Sequence, residues 1–144
     1  MKHLTLDELR QLAEVHTAKP ALSRDERLTR WAELLEAQPE RNLRTLHGTE
    51  FQAGESRDSM RAAESPISVA FADPVLRAEG MKDDTYGEAR RFFELTDWQL
   101  HDVLCHCHYG AAISAGAAAR RVRASVGTTG GPSLFARMRH IVGA

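Results

Sequence analysis

Apolar residues recur along this chain at the three- and four-residue steps of an α-helix, and side chains able to cap a helix stand just before several of those runs. Thr5 with Glu8 precedes Leu6, Leu9, Leu12 or Ala13, and His16; Ser23 with Glu26 precedes Leu28, Trp31, Leu34 and Leu35. Each pair has the spacing of a capping box, in which two side chains satisfy two otherwise unbonded amides around the first turn. Pro20 separates these helices. Pro39 ends the second and is read as opening a third, in which Leu43, Leu46 and His47 share a face and which fades near Gly48.

A polar stretch over residues 52 to 66 predicts a loop or a short frayed helix. Ser65 and Pro66 then start a helix into residues 67 to 71, with a short strand as the alternative. Asp73 caps and Pro74 opens another helix, which Gly80 closes. Thr85 with Glu88 starts a helix holding Tyr86, Ala89, Phe92 and Phe93. Thr96 with Gln99 starts the next, with Leu95 and Leu100 placed as a hydrophobic staple. Gly110 ends that helix, and Ser114 caps an alanine-rich one that finishes at Arg120, Arg121 and Arg123.

These elements predict an all-α fold, an irregular bundle of about six or seven short helices with a flexible C-terminal tail. The expected core is Leu28, Trp31, Leu35, Phe71, Leu76, Phe92, Phe93, Leu100, Val103, Leu104 and Cys107. Residues 1 to 126 form the helical domain. From residue 127 the chain reads Gly-Thr-Thr-Gly-Gly-Pro-Ser, a linker by composition, followed by an amphipathic segment with Leu134, Phe135, Met138, Ile141 and Val142 on one face and Arg137, Arg139 and His140 on the other.

Composition agrees with a folded helical protein: 144 residues, 42% hydrophobic, 27% charged and only 6% aromatic. The net charge of −1 hides an asymmetry, because residues 100 to 144 hold five arginines against one acid. That favours an acidic partner or head-to-tail pairing of chains, and falls short of a nucleic-acid patch. A helix-turn-helix across Gly110 is also disfavoured, since the arginines lie at the far end of the second helix rather than at its base-reading start. No apolar run is long enough for a secretory signal or a bilayer span, so the expected location is the cytoplasm.

Candidate chemistry concentrates in residues 101 to 110, HDVLCHCHYG. His101, Cys105 and His108 group on one flank of the predicted helix. Cys and His at a four-residue step can chelate a transition metal such as zinc or iron, with further ligands from elsewhere. The competing reading makes the cysteines small packing residues, and the position of both thiols toward the negative end of their helix works against a redox-active thiolate. No nucleophile elbow, phosphate loop or zincin helix is present, so a catalytic role has no motif behind it. The functional expectation is therefore a non-catalytic accessory or adaptor protein that binds another protein chain or a second copy of itself. Leu134, Phe135, Met138, Ile141 and Val142 form one contact, and metal binding through His101, Cys105 and His108 is the alternative.

Overall fold

The first helix of the computed structural model, which describes residues 21–46, 49, 52–104 and 112–128, is α1, Arg24–Glu36. It starts where the sequence says it should. Ser23 accepts from the Glu26 amide and the Glu26 carboxylate accepts from the Ser23 amide, closing the capping box. Its buried residues Leu28, Trp31, Ala32 and Leu35 follow the helical repeat and form one stripe. That stripe faces α7, Ala115–Ala124, whose own stripe is Ala115, Ala118, Ala119 and Val122. The small side chains of α7 let the two backbones approach closely. The Gly116 amide donates to Pro39 O at 2.8 Å just beyond the end of α1, and Arg24 at its start donates to Ser125 O at 3.1 Å, so the pair runs antiparallel.

Between them run α2 (Gly54–Asp58), α3 (Pro66–Phe71), α4 (Pro74–Ala78), α5 (Tyr86–Phe92) and α6 (Asp97–Leu104). Their starts again follow local side-chain chemistry. Ser65 caps α3, Asp73 caps α4, Thr85 caps α5 and Ser114 caps α7, while Thr96 and Gln99 bond reciprocally around the start of α6. Gly80, at φ +116°, ends α4 in a Schellman motif, with its amide on Arg77 O and the Met81 amide on Leu76 O. The centre of the core is aromatic. Trp31 stacks on Phe93 with centroids 4.3 Å apart, and its indole N–H donates to Pro66 O at 2.9 Å, tying α1 to the start of α3.

The described residues are thus mostly helical, but they also contain a two-stranded antiparallel ribbon. The helix expected over Leu43 and Leu46 is instead β1, Asn42–Arg44, paired with β2, Ala112–Ser114, in the register Leu43 opposite Ile113. Both of those side chains are buried. The cause is non-local: the Arg44 amide bonds to Glu64 O and the Leu46 amide to Leu104 O, partners that no local periodicity records. Phe71 also departs from expectation. It is only partly buried, packing at the edge of the core with the Arg77 guanidinium 5.7 Å from its ring centre. Cys107, the proposed Thr5 helix and residues 129 to 144 lie outside the described residues.

Candidate functional site

The start of α6 and the length of α5 build a cleft between them. Thr85 caps α5, and Tyr86 at its first position is buried in the core while lining the cleft. The Tyr86 hydroxyl donates to Asp97 Oδ1 at 3.0 Å. One turn further along α5, Arg90 lies 5.9 Å from the centre of the Tyr86 ring, grips Asp58 of α2 through two bonds of 2.7 and 3.0 Å, and donates to Asp97 at 3.1 Å. Arg57 of α2 reaches the other Asp97 oxygen at 3.1 Å. The close approach of α2 to α5 rests on Gly87, where a Cβ would stand 2.7 Å from the Asp58 Cβ.

Asp97 is therefore the hub of the network. Burial alone would raise its carboxyl, but hydrogen bonds from Tyr86 and Arg90 and the charges of Arg90 and Arg57 outweigh that and hold it below the ordinary carboxylate range. Burial, reinforced by the Asp97 charge, lifts the Tyr86 hydroxyl well above the ordinary phenol range. At neutral pH the phenol keeps its proton and the carboxylate lacks one. The pair is a neutral donor on a charged acceptor, which favours the hydrogen bond between them.

The outer wall comes from the exposed side of α6. Leu100, Val103 and Leu104 are buried in the core, which turns Trp98 away from it: this residue is 53% exposed. His101, three residues on, lies with its ring centre 6.5 Å from that of Trp98, and its Nδ1 is 3.3 Å from the Thr49 hydroxyl. Thr49, Arg57, Tyr86, Asp97, Trp98 and His101 together line a cleft of about 240 Å³. Sites for small molecules and cofactors span roughly 300–1,000 Å³. This cleft is smaller, and has room for about one large side chain.

Of the residues singled out in the sequence, His101 lines this cleft. Cys105 and His108 lie outside the described residues, as do Leu134, Phe135, Met138, Ile141 and Val142. Among the described residues no group of three His, Cys, Asp or Glu side chains is arranged to hold a metal ion. Nor is any described helix long and apolar enough to cross a membrane. Sequence reasoning passed over Trp98, Arg57 and Asp97 and placed Tyr86 on its helix without a role at a site. Trp98 left a signal, a large apolar side chain off the buried stripe of its own helix. No protein-family model, curated protein or solved structure matches this chain.

Proposed function

We propose that this protein is a non-catalytic accessory protein that binds another protein chain, and that the cleft beside Trp98 receives one large apolar side chain of that partner. The observation that carries the reading is the half-exposed Trp98 at the mouth of a cleft whose inner wall is already braced. Tryptophan and arginine are the residues most enriched at the energetic centres of protein interfaces, because a rigid aromatic surface binds without much loss of side-chain freedom. The Asp97 network supplies that rigidity, fixing Arg57 and Tyr86 before a partner arrives. His101 and Thr49 add polar groups at the rim, suited to the backbone of the inserted segment. The amphipathic segment with Leu134, Phe135, Met138, Ile141 and Val142 is the second contact in this reading.

The test begins with a photo-crosslinking amino acid in place of Trp98, which identifies the partner and the inserted segment together. Affinity is then measured with the purified partner. Trp98→Ala should weaken binding by at least about tenfold, and removal of residues 129–144 should weaken it further. Equal affinity of wild type and Trp98→Ala would remove the cleft from the interface.

A further inference from the structure

A second groove lies between α1 and α4. Its floor is Leu22 and Val75, the latter 40% exposed, and its rim carries Asp25, Glu26 and Glu33 against Arg30, with Arg24 paired to Asp25 at 2.9 Å. Arg30 is held by Asp73 through bonds of 2.6 and 2.9 Å, so the groove presents an excess of negative charge beside an apolar floor.

We infer that this groove is the resting place of the chain's own amphipathic segment, residues 134–142. The end of the described chain is tied to the groove's near end: the Gly127 amide donates to Asp25 Oδ1 at 3.1 Å, and Thr128 accepts from Gln99 at 3.0 Å. From there, residues 129 to 133 span at most about 18 Å when extended, enough to bring Leu134 onto the groove. A nine-residue helix is about 14 Å long, and the α1 face from Arg24 to Glu33 is about 15 Å. Charge selects this occupant. Residues 129 to 144 contain Arg137 and Arg139 and no acid, complementary to Glu26 and Glu33, whereas residues 1 to 20 balance three acids with three bases. The docked segment covers Val75 with its apolar face and sets its arginines along the acidic rim. The assignment rests on the proposed function only for its use: seated on the groove, the second contact is withheld from a partner until it is released.

The test needs no partner, so its failure is separate from failure of that reading. A photo-crosslinker in place of Val75 in the full chain should give an intramolecular link mapping to residues 134–142. The yield should fall about two- to fivefold in Glu33→Arg, the size expected of exposed ion pairs, and should recover when Arg137→Glu and Arg139→Glu are added. The same crosslinker in place of Thr29, on the same groove, guards against a local effect of the first substitution. Links to residues 1–20, a covalent dimer, absence of a link at both positions, or a yield indifferent to the charge swap would each overturn the inference.

Discussion

Replacing Asp73 by asparagine and by alanine separates two jobs that one buried carboxylate performs. Asp73 caps α4 by accepting the Leu76 amide at 3.1 Å and receives both bonds from Arg30 of α1, so it joins two helices. Asparagine keeps the cap and loses the ion pair; alanine loses both. The Arg30 side chain is 37% exposed and that of Asp73 only 6%, which places the pair nearer a solvated bridge than a buried one, at about 1 kcal/mol. The cap adds about 1 kcal/mol. At pH 7, Asp73→Asn should therefore cost about 1 kcal/mol and Asp73→Ala about 2 kcal/mol. The pH dependence follows from the direction of the carboxyl's shift. Hydrogen bonding to Arg30 is the main cause that holds Asp73 below the 3.8 of an unperturbed aspartate. A group lowered in the folded state stabilises fully above its unfolded value, and that stability is lost as pH falls through the folded value. The gap between wild type and Asp73→Asn should stay constant down to about pH 4 and close below it, while the gap between the two variants should not change. Urea unfolding across that range measures both. A wild-type advantage over asparagine that persists unchanged below pH 3, or none at pH 7, would refute the reasoning.

Three further substitutions probe the frame of the cleft. Gly87→Ala should destabilise by about 1–2 kcal/mol, because the new Cβ meets Asp58 side-chain atoms at 2.7 and 2.9 Å and its backbone oxygen at 3.0 Å; a neutral result in thermal melting would show that α2 can retreat without loss. Glu94 ends α5 at φ +50°, with the Leu95 amide on Arg90 O, so Glu94→Gly should raise stability by about 0.5–1 kcal/mol, and a drop in melting temperature would contradict the left-handed cap. Trp98→Ala should lower the unfolding free energy by about 1 kcal/mol, the share expected of a half-buried large apolar side chain, and a loss above about 3 kcal/mol would make Trp98 a core residue.

Helix starts were legible in the sequence because their chemistry is local: Ser23 and Glu26, or Thr96 and Gln99, carry their partners within three residues. Thr85 shows the limit of that logic. It caps α5 as expected, but the Glu88 carboxylate turns away to the Lys82 amide and Arg91, a competition that spacing alone does not reveal. The ribbon was illegible for a related reason, since Leu43 is a strand residue only because Ile113, distant in sequence, lies beside it. The cleft was half legible. His101 stands out in the sequence through its neighbours Cys105 and His108, and the fold adds Trp98 and Thr49 beside it. Arg57 and Asp97 come from different helices, and only the fold brings them to 3.1 Å.

The central claim is that the surface around Trp98 binds another protein chain, and its most direct measurement is the affinity of the purified, crosslink-identified partner for wild type and for Trp98→Ala. The account predicts a loss of about 2 kcal/mol, or roughly thirtyfold in dissociation constant, with the variant still folded and its unfolding free energy lowered by only about 1 kcal/mol. Wild-type affinity in Trp98→Ala would contradict it.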